Sequence, residues 1–206
     1  MARMFALALF VVLPAFAQPS MEIYSGLNWP RSPFGGITDI YLSDYWALGI
    51  DVGLSADFQL ANWIIISPGF EHDRYPFGHY YEGVSTGEQS VQASSGKNAN
   101  IYRFPVLLRL IDNSSEKMKP YLSIGGEYVL EDIGRIIVDW RQLDGATFQS
   151  EIQFPGKKYW SYIIGFGIAF RVWPQIDVDP SFKYCSNDTD RSCFAINLGF
   201  KYHFGE

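Results

Sequence analysis

The sequence predicts an all-β protein, a single eight-stranded antiparallel up-and-down β-barrel that crosses a membrane with its strands. Segments spread along the chain alternate large apolar residues with small or polar ones. The connections between these segments alternate between long and short. Aromatic residues make up 17% of the chain and charged residues only 18%, yet no apolar run after residue 17 reaches the about 18 residues that a membrane-spanning helix needs.

The composition also excludes two classes of protein. This many aromatic and aliphatic residues can form a folded core, which excludes a disordered chain. The formal net charge is -6, so no basic excess exists to neutralise phosphates, and we expect no nucleic-acid partner.

The first 17 residues have the features of a cleaved signal peptide. Arg3 supplies a short positive region, residues 4–13 are apolar, and Ala15-Phe16-Ala17 matches a small-residue cleavage site. The barrel domain is then expected to occupy residues 18–206. An exported protein can also form disulfides.

Eight segments read as strands, and each is close to the about 9–11 residues with which a tilted strand crosses a bilayer. The first and the third to fifth segments alternate less regularly than the others. In chain order the predicted strands are residues 21–29, 47–58, 63–75, 101–111, 120–131, 160–172, 176–185 and 193–204.

The second and sixth strands show what the alternation implies. Large apolar residues occupy nearly all even positions from Leu48 to Phe58 and again from Trp160 to Val172. Side chains on a strand point alternately to the two sides of the sheet, so the two faces of each strand meet different surroundings.

The last two strands are equally regular. Even positions from Ile176 to Tyr184 are apolar, and so are all even positions from Phe194 to Phe204, opposite small or polar residues. These two strands form the predicted closing hairpin.

The connections suit an outer-membrane barrel, which has short turns on the periplasmic side and long loops outside. Long gaps at residues 30–46, 76–100 and 132–159 alternate with short ones, and residues 85–98 read as a mobile loop tip. Aromatic residues at the strand ends resemble two membrane-interface girdles. They are Trp63 and Trp173 at the short-turn end and Trp29, Trp46, Tyr75 and Trp160 at the long-loop end.

Alternation alone does not say which face points inward. A soluble lipocalin-like barrel would place the apolar face inside, and a membrane barrel would place it outside. The polar face is rich in small residues such as Gly53, Gly165 and Gly199, as a narrow lumen requires, which favours the membrane orientation.

The inward face would then carry a set of opposite charges. An eight-stranded barrel is only wide enough to be filled by its own side chains. Buried charges must therefore pair, and we predict a salt-bridge network that plugs the lumen, with a small-solute channel as the alternative. Its members are Asp51, Asp57, Glu71, Asp73, Arg103, Arg109, Glu127, Arg171, Asp177, Asp179, Lys183 and Lys201.

Catalytic and metal-binding motifs are missing from the sequence, so we expect no enzymatic activity and no cofactor. Barrel enzymes that modify lipids, the alternative, use a His and a Ser two positions apart, and His72 has Phe70 and Arg74 there. Neither H-x-H nor C-x-x-C occurs. Residues 187–190 lack the Gly and Glu of an EF-hand loop, so no metal site is predicted.

Cys185 and Cys193 are the two cysteines of the chain, and both fall on the inward face of neighbouring strands. They bracket a short hairpin loop, which suits a cross-strand disulfide if they lie opposite each other. Two free thiols are the alternative.

The chain resembles the PorT-like outer-membrane β-barrel family. The resemblance rests on a Gly-rich second strand and short turn within residues 47–72, on Phe104-Pro105-Val106-Leu107-Leu108-Arg109, and on the K-P-Y-L-x-x-G pattern within residues 118–128. It implies an outer-membrane location and a link to protein secretion or envelope assembly. Gly205-Glu206 after Phe204 departs from the aromatic end that is usual for such barrels. We expect contact with outer-membrane lipid, a protein partner bound by the long loops, and a monomeric barrel.

Overall fold

A computed structural model describes residues 19–31, 49–76, 81–85, 89–94, 98–132, 134–141, 147–154, 156–187 and 192–204. The predicted signal peptide, Trp46, residues 188–190 and Gly205-Glu206 lie outside these ranges.

The described residues form a closed antiparallel barrel of eight strands, and each contains or closely overlaps one predicted strand. The predicted fold class is therefore confirmed. Each strand pairs with its neighbours along the chain, and the first pairs with the last to close the barrel. The barrel strands are β1 (Pro19–Arg31), β2 (Gly49–Ala61), β3 (Ile64–Pro76), β6 (Asn98–Ile111), β7 (Met118–Asp132), β10 (Lys157–Trp173), β11 (Ile176–Ser186) and β12 (Ser192–His203).

Two of the predicted long loops contain further strands, in addition to the eight that the sequence predicts. β4 (Tyr81–Ser85) and β5 (Gln89–Ser94) lie between β3 and β6, while β8 (Gly134–Arg141) and β9 (Thr147–Phe154) lie between β7 and β10. They form a second antiparallel sheet in the order β4-β5-β8-β9. β5 lies within residues 85–98, the segment interpreted from the sequence as a mobile loop tip, and it pairs with β8 from the other loop.

The apolar face of the barrel strands points outward, as predicted. Ile23, Phe166 and Phe200 are 57–59% exposed. The inward-facing residues that alternate with the apolar ones along β10 and β12 are mostly buried. An outer surface this apolar is unfavourable in water and favourable against lipid. No helix among the described residues is long and apolar enough to cross a membrane.

Inward-facing glycines make room for large side chains in the narrow lumen. A Cβ on Gly53 would lie 2.1 Å from the Tyr24 ring, and one on Gly167 would lie 2.4 Å from the Tyr121 hydroxyl. Both distances are well inside van der Waals contact. The small residues of the polar face therefore let two tyrosines reach the charged groups described next.

Candidate functional site: the charged lumen

Arg103 is the centre of a first group of charges in the lumen. Its Nε lies 2.5 Å from Asp73 Oδ2 and its Nη1 lies 2.6 Å from Glu127 Oε1, so one guanidinium bridges β3 and β7. Both carboxylates are 0% exposed and Arg103 is 4% exposed. At this burial the ion pairs are hardly screened by water, and each partner depends on the other.

Lys183 and Glu71 form the second ion pair of this group. Lys183 Nζ donates to both oxygens of Glu71, with 2.6 Å to Oε2. The Tyr24 hydroxyl also donates to Glu71 Oε2, at 3.3 Å. Asp51 lies beside them, with a carboxylate oxygen within 4.8 Å of oxygens of Glu71 and Asp73. The six residues Asp51, Glu71, Asp73, Arg103, Glu127 and Lys183 are called the loop-side cluster here.

Arg109 is the centre of a second group, nearer the short turns. Its Nη1 lies 2.8 Å from Glu22 Oε2, 3.4 Å from Asp57 Oδ2 and 3.6 Å from Asp179 Oδ2. Lys201 lies among the same carboxylates, 2.8 Å from Asp57 Oδ2. Glu22, Asp57, Arg109, Asp179 and Lys201 are called the turn-side cluster.

Neutral side chains complete the turn-side cluster. The Tyr121 hydroxyl donates to Asp179 Oδ1 at 2.7 Å, and the Ser67 hydroxyl donates to Asp57 Oδ1 at 2.6 Å. The Arg109 guanidinium also lies over the Tyr121 ring, 5.1 Å from its centroid, in a cation–π contact. These hydrogen bonds lower the cost of burying the charges.

Arg171 and Asp177 do not join either cluster, although the sequence grouped them with the other charges. They pair with each other at the short-turn end, where Arg171 is partly exposed and also donates to the Pro174 carbonyl at 2.6 Å. His203 Nε2 lies 2.7 Å from Asp177 Oδ2. The structure therefore places the twelve predicted residues in three groups instead of one network.

Glu22 is the charged residue of the clusters that the sequence prediction missed. Glu22 lies on β1, where the alternation is weak. The odd-numbered Ile23 and Leu27 are exposed on the outer face, so the even-numbered Glu22 faces the lumen. The same alternation of faces along β1 predicts that the even-numbered Tyr24 and Asn28 point inward, and both bond to carboxylates in the lumen.

A cavity of about 40 Å³ separates the two clusters. Glu22 and Arg109 line it from the turn side, and Glu71 and Lys183 line it from the loop side. This volume has room for a few ordered waters at most. The described part of the lumen is thus filled by side chains.

The two cysteines lie directly opposite each other in the β11–β12 register. They are 2% and 3% exposed and pack with Ile163. The structure has both as free thiols. The disulfide predicted from the sequence stays a prediction.

We expect oxidised, purified protein to contain no thiol that reacts with maleimide after denaturation, because paired positions bring two cysteines within bonding range. The Cys185→Ser, Cys193→Ser double variant should still fold, since the bond would close a short loop and contribute less than the about 3 kcal/mol of a 15-residue loop. Two reactive thiols per chain would show that the bond does not form.

The fold is similar to that of one solved outer-membrane barrel, and two other solved structures match less closely. Neisserial surface protein A matches with a TM-score of 0.55 at 13% identity, covering 91% of this chain and 98% of that one. The attachment invasion locus protein Ail of Yersinia pestis matches with a TM-score of 0.47 at 15% identity, covering 91% and 99% of the two chains. The N-terminal β-barrel domain of Pseudomonas aeruginosa OprF matches with a TM-score of 0.48 at 12% identity, covering 91% and 98%. No family model matches the chain, and no curated protein matches it.

Proposed function

We propose that this protein is a non-enzymatic, non-conducting barrel of the bacterial outer membrane that holds an extracellular binding surface in place. The observation that carries the proposal is the combination of an apolar outer surface with a lumen closed by buried ion pairs. A barrel with apolar residues on its outer surface and charged residues inside is suited to lipid surroundings, and its closed lumen leaves no path for transport. A soluble lipocalin-like binder would need an apolar interior, whereas the interior of this barrel holds two clusters of charged side chains.

Three further observations support the outer-membrane location. Residues 1–17 have the pattern of a signal peptide, which would direct the chain out of the cytoplasm. The barrel has an even number of strands, with both of its ends on the short-turn side. Its fold matches that of Neisserial surface protein A.

The second sheet is the part of the described chain best placed to meet a partner. It is built from the two connections at the long-loop end of the barrel, which faces outward from the cell in this orientation. β4 and β9 each have a single neighbour within the described sheet, so each leaves a strand edge that a partner's strand could extend. The resemblance to the PorT-like family supports a partner that acts in secretion or envelope assembly.

A lipid-modifying enzyme is the alternative that needs an outward-facing catalytic group. His72 is partly buried on the outer side, where its ring stacks on Tyr102 with centroids 5.0 Å apart and its Nε2 lies 3.2 Å from Asn100 Oδ1. These contacts explain the position of His72 by packing, as one of the aromatic rings on the outer surface of the barrel. Loss of acyl chains from purified lipid A incubated with the protein would instead establish the enzyme.

Fractionation tests the membrane assignment. We expect the full-length protein, expressed in a Gram-negative host, to sediment with outer membranes and to require detergent for release, because its apolar belt is stable only against lipid. Recovery in the soluble periplasmic fraction without detergent would overturn the assignment.

Conductance tests the closed lumen. We expect the purified barrel in a planar bilayer to show no conductance steps, because two layers of buried ion pairs cross the lumen. A porin expressed and purified in the same way provides the positive control. Reproducible steps from preparations free of porins would contradict a closed lumen.

A further inference from the structure

A cavity of about 720 Å³ opens at the short-turn end of the barrel. Its lining comes from the β2–β3, β6–β7 and β10–β11 turns and from the strand residues next to them. Sites for small molecules in proteins commonly measure about 300–1,000 Å³, so the cavity is large enough for one such molecule. Its described lining residues belong to neither charge cluster, so the cavity is a separate feature of the molecule.

Hydrogen bonds between backbone groups hold the walls of this cavity together. The Ile111 amide donates to the Trp63 carbonyl at 3.0 Å, which ties β6 to the β2–β3 turn. The Arg171 amide donates to the Lys117 carbonyl at 2.9 Å, which ties β10 to the β6–β7 turn. Within that turn, the Lys117 amide donates to Ser115 Oγ at 3.3 Å. The cavity is therefore formed without a ligand, which lowers the cost of binding one.

The cavity is basic, although the chain as a whole has a formal net charge of -6. Its described lining includes the cations Lys117, Lys119 and Arg171. Glu116 is the one acidic residue of that described lining. Arg171 pairs with Asp177, whereas neither lysine takes part in a salt bridge within the described part of the chain. Two such lysines in one cavity create a local positive potential that attracts anions.

The two sides of the cavity differ in polarity. Lys119 is half-buried on β7, two positions before the buried Tyr121 and on the same, inward-facing side of the strand. Val172 and Trp173 line the other side and are 46% and 64% exposed. They directly follow Phe170, which is exposed on the outer face of β10, so this side of the cavity is continuous with the lipid-facing surface. A molecule with both an anionic group and an apolar part would contact both sides.

We propose that this cavity binds the headgroup of an anionic glycerophospholipid of the periplasmic leaflet. Its phosphate would lie next to Lys119 and Lys117, and its glycerol and first acyl carbons would lie beside Trp173. Ammonium groups bind phosphate as compact charges, basic pockets at a membrane surface take anionic headgroups, and tryptophan favours the membrane interface. The inference rests on the membrane location proposed above, in which the short turns border the periplasmic leaflet. A lipid of that leaflet lies against Trp173 already, which favours a lipid over a soluble anion.

Native mass spectrometry of the full-length barrel, released from an uncharged detergent, counts bound lipids and tests the proposal. We expect one dihexanoyl phosphatidylglycerol to bind at least about fivefold more tightly than dihexanoyl phosphatidylcholine, whose choline cancels the phosphate charge. Glycerol 3-phosphate, which lacks acyl chains, should bind more weakly than phosphatidylglycerol. Equal affinity for the two lipids would overturn the proposal. Glycerol 3-phosphate binding as tightly as phosphatidylglycerol would also overturn it, and would make the cavity a site for a soluble phosphate ester.

Variants locate the site. Lys119→Gln should weaken phosphatidylglycerol binding about fivefold, the loss expected for one lysine beside an anionic lipid. Trp173→Ala should weaken the binding of phosphatidylglycerol and leave that of glycerol 3-phosphate unchanged. Lys157→Gln is the matched control, because it removes an exposed lysine from the loop-side end of β10 and should leave the affinity unchanged. If Lys119→Gln binds phosphatidylglycerol as tightly as Lys157→Gln does, the lipid lies elsewhere and the assignment is wrong.

Failure of this inference can be told apart from failure of the membrane location. A barrel that sediments with outer membranes but binds both lipids equally would contradict the lipid site alone. Recovery of the barrel in the soluble periplasmic fraction would contradict the membrane location and, with it, the lipid site.

Discussion

Replacing Arg109 with methionine is expected to lower the free energy of unfolding by about 3–5 kcal/mol, because the change leaves several carboxylates buried with too little positive charge. Arg109 is 5% exposed and its Nη1 lies within 3.6 Å of oxygens from Glu22, Asp57 and Asp179. Lys201 lies within 3.9 Å of the same three carboxylates, but its single positive charge cannot balance three negative ones. Reversible urea unfolding in lipid vesicles measures the change.

Two controls separate the loss of an ion pair from a general effect of substitution. Lys117→Met removes a cation from the exposed β6–β7 turn and should change the unfolding free energy by no more than about 0.5 kcal/mol. Adding Asp57→Asn to Arg109→Met should recover part of the lost stability, because it removes one of the stranded charges. Equal effects of Arg109→Met and Lys117→Met would show that the lumen charges do not stabilise the barrel.

Replacing Phe200 with arginine is expected to cost about 2–4 kcal/mol if the residue lies near the bilayer midplane. Phe200 is 57% exposed on the outer face of β12, and its register partners on the two sides are Val178 and Ile23. An arginine there faces apolar register partners on both adjacent strands and must displace lipid or bend toward the interface. The same unfolding measurement in vesicles reports the cost.

Tyr202→Arg is the matched control for depth. Tyr202 lies on the same strand and the same face, nearer the short-turn end, where the cost of an arginine falls to about 0–1 kcal/mol. In detergent micelles, which adapt their shape, the difference between the two variants should shrink. If both variants cost the same in vesicles, Phe200 does not face the membrane core.

Cooperation between the two loops is a feature that the sequence did not predict. β8 and β9 pair with each other locally, but β5 finds its second partner in β8, which lies beyond two barrel strands in the chain. β4 and β5 are also short and polar, so neither has a period-two apolar pattern to distinguish it from a loop. Pairing of this kind depends on where the barrel brings the two connections.

The residue pattern alone predicts the eight barrel strands, the face of each strand that meets lipid and the ends at which the turns are short. These are local properties, because a strand must show one face to lipid and the other to the lumen, and the alternation of residues records that requirement. Which charges meet in the lumen depends instead on the folded barrel. Arg109 reaches Glu22 because closure of the barrel brings β1 across the lumen from β6, and Asp51 lies beside Asp73 because of the β2–β3 register. Both depend on strand stagger and barrel diameter, which are properties of the closed sheet and not of any one strand.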